Sequence, residues 1–154
     1  MATATAARAS VLETLGTDYY LLAPGDYSDP NRRNFIPPDV LIHVGNAILL
    51  AFVGGLVVSL TEGAKSVGKT LGSLVSDRML KLLGKKAKTE DRVTDKDVDE
   101  AIKQLGDLIK QKGLKPEALQ HTEAAVADTL QNAFGLTTKK ARDVAASARA
   151  SIQV

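Results

Sequence analysis

The chain has 154 residues, and its 20 basic and 18 acidic side chains nearly cancel, which disfavours a nucleic-acid-binding surface. It has no cysteine and two histidines, which excludes a disulfide framework, a thiolate metal centre and a cysteine nucleophile, and argues against a multi-histidine metal site. Tryptophan is absent and aromatic residues make up 4% of the chain, so a base-stacking platform is not expected. The composition as a whole predicts no metal, no cofactor and no particular reaction.

Charge divides the chain into segments of different character. Residues 1–39 carry a net charge of −2, residues 40–60 carry no charged side chain, and residues 61–88 carry a net charge of +5. The remaining residues, 89–154, carry a net charge of −1. An uncharged segment followed by a basic one is typical of a membrane span with its cytoplasmic flank. We therefore divide the chain into an N-terminal segment (1–39), an apolar-to-amphipathic helix region (40–88) and a C-terminal helical domain (89–154).

The N-terminal segment begins with an alanine-rich stretch that predicts a short helix over residues 5–15, ended by Gly16. Irregular structure is expected over residues 17–39, because prolines and glycine interrupt any helical pattern there. The first apolar run is too short, and its flanks too acidic, for a secretory signal peptide. The interrupting residues are Pro24, Gly25, Pro30, Pro37 and Pro38.

The apolar run over residues 40–60 is the most informative part of the sequence. Its only polar side chains are His43, Asn46 and Ser59, and a helix of this length covers about 30 Å, the hydrocarbon thickness of a bilayer. Together with the amphipathic residues that follow, it predicts one long central helix over about 38–84. We favour a membrane-spanning helix. The alternative is the fully buried central helix of a soluble bundle, which has the same composition.

Small residues recur every fourth position along this predicted helix and continue in a second series after it. Such a spacing forms a groove without side-chain bulk, where another helix backbone can approach closely. The pattern predicts either tight packing within the chain or self-association into a homo-oligomer. The candidate association residues are Ala47, Ala51, Gly55, Ser59, Gly63, Gly68 and Gly72.

Basic side chains accumulate in the second half of the predicted central helix. An amphipathic helix that leaves an apolar span could place its lysines against anionic lipid head groups. The positive flank predicts a membrane-associated protein with a cytoplasmic C-terminus; the alternative is a soluble cytoplasmic protein. The candidate head-group contacts are Lys65, Lys69, Lys81, Lys85, Lys86 and Lys88.

Residues 63–70 match the phosphate-binding loop pattern G-x-x-x-x-G-K-[ST] at each fixed position. A nucleotide-binding domain of this class also needs parallel strands and a magnesium-binding aspartate at the end of an apolar strand. Residues 85–154 contain no apolar strand candidate. The four-residue spacing of small side chains accounts for Gly68 and Gly72 without a nucleotide, so we predict neither nucleotide binding nor hydrolysis.

The acidic run at Asp95, Asp97 and Asp99 resembles the start of a calcium-binding loop. The loop requires glycine at its sixth position and glutamate at its twelfth, where this chain has Glu100 and Gly106. Thr94 followed three positions later by an acidic side chain instead predicts a capped helix N-terminus.

The sequence pattern of the C-terminal domain predicts three amphipathic helices joined by short loops. They are predicted over about 95–112, from Pro116 to about residue 134, and from residue 137 or 138 onward, forming a small antiparallel array. His121 is expected at the surface of the second helix, and His43 near the start of the apolar helix; neither has the neighbours of a catalytic base. A protein partner of this domain is expected rather than DNA, because the net charge is negative.

The sequence thus predicts an all-α, non-enzymatic protein. The favoured hypothesis is a membrane-inserting or membrane-anchored helical protein that self-associates through its small-residue groove, with a pore or assembly role. The alternative is a soluble helical scaffold or assembly subunit, with the apolar helix in its core or at an oligomer interface.

Overall fold

The computed structural model describes residues 3–25, 27, 29–33, 36–62, 69–83, 87 and 92–152, and all regular structure within them is helical. The predicted all-α class is confirmed. The seven α-helices in these residues are α1 (Ala4–Leu15), α2 (Pro30–Arg33), α3 (Pro38–Glu62), α4 (Lys69–Leu82), α5 (Asp95–Lys112), α6 (Pro116–Asn132) and α7 (Thr138–Ser151), and a 3-10 helix (Gly16–Leu21) follows α1.

Where one long central helix was predicted over about 38–84, the structure has a long central helix, α3, and a separate helix, α4, which packs against it. The amphipathic pattern of α4 explains this arrangement. Its apolar stripe must be covered by another element, and α3 is one of the helices that pack against it. The buried residues of the stripe are Leu71, Val75, Met79 and, just past the helix end, Leu83.

α3 lies at the centre of the bundle, in contact with α1, α4, α5 and α6. A helix covered on several sides must be apolar around most of its circumference, which accounts for its uncharged sequence. Its fully buried side chains include Phe52, Ile48, Leu49 and Leu56. The core of the protein is therefore built around α3.

The three C-terminal helices follow their sequence signals closely. Pro116 occupies the first turn of α6, where its missing N–H is harmless. Gly113 ends α5 with a φ of 77°, a conformation that glycine adopts at little cost. The predicted stripe of α7 is buried in full, at Ala141, Val144, Ala145, Ala148 and Ile152.

Thr94 caps α5 through a reciprocal pair of hydrogen bonds. Its hydroxyl accepts from the Asp97 N–H at 3.2 Å, and the Asp97 carboxylate accepts from the Thr94 N–H at 2.9 Å. This is the capping box that the sequence predicts. Thr94→Ala is expected to lower the free energy of unfolding by about 1 kcal/mol, and Thr94→Ser to preserve most of it. Urea unfolding monitored by circular dichroism checks this, and equal stability of Thr94→Ala and wild type would contradict the capping role.

The first and last helices of the described chain pack against each other. The Lys140 ammonium on α7 donates to the Thr14 carbonyl at the end of α1, at 3.2 Å. Ser10 and Ser147 form a further hydrogen bond between these helices, at 3.1 Å. A cation at a helix C-terminus complements the carbonyls left without intrahelical partners. The N-terminal segment is thus integrated into the same bundle as the C-terminal helices.

Candidate functional site

Polar side chains cluster around the N-terminal half of α3, and two of them, His43 and Asn46, are buried. His43 is 1% exposed. Its Nδ1 atom accepts the Val93 backbone N–H at 2.9 Å, so its Nε2 atom carries the hydrogen and donates to the Leu82 carbonyl. One imidazole therefore links α3 to the end of α4 and to the residues that precede α5. We call His43, Asn46, Asp95, Arg8 and Thr5 the α3 polar cluster.

Asn46 lies almost one turn after His43 and continues the cluster toward α5 and α1. Its amide donates to the Asp95 carboxylate at 2.8 Å and to the Val93 carbonyl at 3.2 Å. Asp95 also accepts from the Arg8 guanidinium at 3.1 and 3.3 Å and from the Thr5 hydroxyl at 2.9 Å. The cluster thus joins α1, α3 and the start of α5 through charged and neutral hydrogen bonds.

The Asp95 carboxylate is stabilised in its ionised form. The hydrogen bond from Asn46, followed by that from Arg8, lowers its pKa from 3.8 to about 2, against a smaller opposing effect of burial. It therefore remains ionised throughout the neutral and mildly acidic range. Because the side chain is 35% exposed, solvent screening limits what this pair contributes to stability.

An open groove lies between α3 and α4, with a volume of about 520 Å³. Leu50, Leu74 and Leu82 supply its apolar lining, and Asp77, Arg78 and Lys81 supply its polar side chains. The Arg78 guanidinium lies so close to the backbone of Gly54 that a Cβ added there would meet its Nη1 atom at 2.5 Å. Nearby on α4, Leu80 is 51% exposed, the largest exposed apolar side chain in the described part of the chain.

The predicted association residues of α3 are packed within the chain. Ala47, Ala51 and Ser59 are buried. Gly55 is also buried, and a Cβ added to it would lie 2.8 Å from the Thr122 Cγ2 atom of α6 and 3.2 Å from the Val75 Cγ2 atom of α4. The small side chains therefore allow helices of the same chain to approach closely. Contact of these residues with a second copy of the chain stays a prediction.

The second series of small residues has a different environment. Gly72 has no atom within 4 Å of an added Cβ, and with Ser76 it lines a groove of about 210 Å³ between α4 and α6. The other side of this groove includes Ala125, Asp128 and Asn132. Gly63 and Gly68 lie outside the described residues.

The predicted head-group lysines are only partly placed by the structure. Lys81 is exposed on α4. Lys65, Lys85, Lys86 and Lys88 lie outside the described residues, and Lys69 is described only as the first residue of α4. Most of the residues that match the phosphate-binding-loop pattern, 63–68, also lie outside the described residues. The structure therefore adds nothing to the sequence argument about nucleotide binding.

Residues that could hold a metal do not converge in the described part of the chain, where no group of three or more His, Asp or Glu side chains lies together. The acidic run at the start of α5 instead makes hydrogen bonds to helix N-termini. Asp99 accepts the Ala4 N–H at the start of α1, at 3.0 Å, and Asp97 completes the capping box of α5. His121 is exposed on α6, as expected. Its neighbour Glu123 pairs with Arg149 of α7 at 2.9 Å.

The sequence places His43 and Asn46 in the apolar run but does not identify their partners. The available signal was their spacing, since residues three apart share one face of a helix and two polar side chains there require polar partners. In the sequence, Asp95 stands out only as part of the acidic run with Asp97 and Asp99. Its bonds to Arg8 and Asn46 join positions 87 and 49 residues apart.

Comparisons with protein-family models, with curated proteins and with solved structures find no match for this chain.

Proposed function

We propose that the protein is a water-soluble, non-enzymatic helical scaffold or assembly subunit whose apolar helix forms its core. The supporting observation is the position of α3. Of its apolar stretch, 72% is buried among the other helices of the same chain. A bundle that already covers its most apolar helix has no need of lipid to do so.

The energetics of packing favour this proposal over permanent membrane insertion. Burial of one Leu, Ile or Phe side chain contributes about 1.5–3 kcal/mol. A bilayer could bury the apolar surface of α3 itself. It could not bury the apolar surfaces of the neighbouring helices that now pack against α3. Removing α3 would expose Leu71 and Val75 of α4, which pack beside Gly55. Apolar side chains of α5 and α6, the other helices packed on α3, would also lose cover.

Self-association is part of this proposal, but the surface through which two copies would meet differs from the α3 groove of the membrane hypothesis. Ala47, Ala51 and Gly55 could meet a second copy only if α3 left the bundle, because they are already buried. The groove beside Gly72 and Ser76 is open in the folded monomer. Assembly of folded subunits would use surfaces of this second kind, or the exposed faces of the C-terminal helices toward a protein partner.

A second candidate function is conditional membrane insertion, with α3 stored in the bundle and released at a membrane. The observation that favours it is that the stretch Pro38–Thr61, 24 residues, is long and apolar enough to cross a bilayer. In the inserted state, the basic residues that follow α3 would stay on the cytoplasmic side. The same length and composition also occur in core helices of soluble proteins, so this observation carries less weight than burial.

Liposome flotation of the purified full chain without detergent separates the two functions. Vesicles containing phosphatidylserine are floated at pH 7.5, then washed with high salt or with carbonate. We expect the protein to remain at the bottom of the gradient as a defined soluble species. Phosphatidylcholine vesicles serve as the uncharged control.

Two other results of the flotation experiment have different meanings. Co-flotation that survives carbonate would establish insertion and overturn the scaffold proposal. Co-flotation that high salt abolishes would show that exposed basic side chains, Lys81 among them, contact anionic lipid while α3 stays in the core.

A further inference from the structure

We infer that α1 is a detachable helix, which leaves the bundle as one unit while the other helices stay packed. Its departure uncovers the side of α3 that contains Gly45. Detachment of α1 is a property of the folded chain and does not depend on either proposed function. For conditional membrane insertion, it would be the first step that exposes α3.

The ends of α1 are stabilised by charges from other helices. Apart from the Thr3 cap, α1 has no acidic side chain in its first turn and no basic side chain in its last turn. At its N-terminus the Asp99 carboxylate of α5 accepts the Ala4 N–H at 3.0 Å. At its C-terminus the Lys140 ammonium of α7 donates to the Thr14 carbonyl at 3.2 Å. Because a helix of 12 residues is too short to be stable alone in water, α1 loses its helical structure when it leaves these partners.

The apolar contacts that hold α1 in the bundle are small. Its buried residues are Ala4, Ala7, Val11 and Leu15. An alanine buries only one methyl group, and the free energy of burial scales with the apolar area removed from water. The centre of α3, by comparison, buries Phe52, Ile48, Leu49 and Leu56. Less free energy therefore holds α1 in place than holds the core together.

Several polar contacts of α1 lie at the margin of the bundle, where water competes for them. The Arg8 guanidinium pairs with Asp95, whose side chain is 35% exposed. Thr5 also donates to Asp95, and Ser10 forms a hydrogen bond with Ser147; both bonds are exposed to solvent. Exposed ion pairs and hydrogen bonds contribute little net free energy. They fix the position of α1 on the bundle rather than prevent its release.

α1 lies directly against the backbone of α3 at Gly45. A Cβ added at Gly45 would lie 2.8 Å from the Arg8 Cγ atom, 3.2 Å from the Leu12 Cγ atom and 3.4 Å from the Arg8 carbonyl oxygen. Glycine is thus the residue that allows α1 to dock so closely. A larger side chain at this position would weaken docking without disturbing the α3 helix itself.

Native-state amide hydrogen exchange of the full chain, measured by NMR in urea below the unfolding transition, tests the detachment. We expect the Val11 amide of α1 to be at least about 100-fold less protected than the Phe52 amide of α3. The protection of Val11 should also depend less on urea, because the opening of one helix exposes less surface than global unfolding does. Equal protection of the two amides would overturn the inference, since α1 would then open only when the whole chain unfolds.

A core variant separates the opening of α1 from global unfolding. Leu130 is fully buried on α6, which makes none of the α1 contacts described above. Leu130→Ala should lower the protection of Phe52 by at least about 30-fold, because it destabilises the core. The protection of Val11 should stay unchanged, since the substitution affects the chain equally with α1 docked or released. A parallel fall at both amides would contradict separate opening.

Gly45→Ala tests the docking contact itself. Its methyl group would meet Arg8 and Leu12, so the protection of Val11 should fall about 10-fold. Gly106→Ala on α5 is the matched control, because no atom lies within 4 Å of the added Cβ, and it should leave Val11 unchanged. Unaltered protection of Val11 in Gly45→Ala would show that α1 does not dock through this contact. No lipid is present in these measurements, so their outcome is independent of the flotation result.

Discussion

Replacing Gly55 with leucine is expected to destabilise the monomer itself by about 1–3 kcal/mol, the usual cost of overpacking a well-packed core. The added side chain would start 2.8 Å from the Thr122 Cγ2 atom and 3.2 Å from the Val75 Cγ2 atom, between two helices that both pack on α3. Neither neighbour can retreat without disturbing the core. Urea unfolding of the purified monomer, followed by circular dichroism, measures the loss.

Gly72 provides the matched control for this substitution. It is also a helical glycine in the small-residue series, but no atom lies within 4 Å of an added Cβ. Gly72→Ala should therefore stabilise the protein by about 0.5–1 kcal/mol, the ordinary helix-propensity gain. If Gly55→Leu left the monomer as stable as wild type and reduced only oligomer formation on lipid, the groove of α3 would face a second copy, as the membrane hypothesis predicts.

Phe52→Ala is expected to lower the free energy of unfolding by about 3–5 kcal/mol, because it empties a fully buried position at the centre of the bundle. For a chain of this size, that corresponds to a melting temperature lower by about 10 °C. Thermal unfolding followed by circular dichroism measures it. A loss below about 1 kcal/mol would show that α3 is not packed in the core in solution.

The same variant also distinguishes the two proposed functions. Leu130→Ala, on α6, empties another fully buried position and leaves α3 intact, so the two variants form a destabilised pair. If α3 inserts conditionally, both should increase the carbonate-resistant fraction on anionic vesicles, because each weakens the bundle that stores α3. If α3 serves only as a core helix, both should unfold more readily without that increase.

The C-terminal helices could be predicted well because their signals are local. Thr94 and Gly113 bracket α5, Pro116 begins α6, and Thr137 caps α7 through the Lys140 N–H. Each signal acts within one turn of helix, so neighbouring residues suffice to identify it. The apolar stripes of these helices then indicate which faces are buried.

The environment of α3 could not be deduced in the same way. An uncharged helix of this length satisfies both a bilayer and a protein core, and the sequence contains no information on which of them surrounds it. What distinguishes the two is the set of helices that cover α3, most of which come later in the chain. The pairings of His43 with Val93 and of Asn46 with Asp95 likewise span 50 and 49 residues. Such contacts follow from the tertiary arrangement rather than from local pattern.

The central position of α3 has a consequence for the order in which the protein is made. α3 is complete at Glu62, whereas α6, which packs against Gly55, is complete only at Asn132. At synthesis rates of about 5–20 residues per second, these 70 residues take about 4–14 s. During that interval an uncharged helix long enough to cross a bilayer lacks much of its cover. The nascent chain therefore displays the helix that the finished bundle conceals, and any factor that recognises apolar helices during translation has seconds in which to bind it.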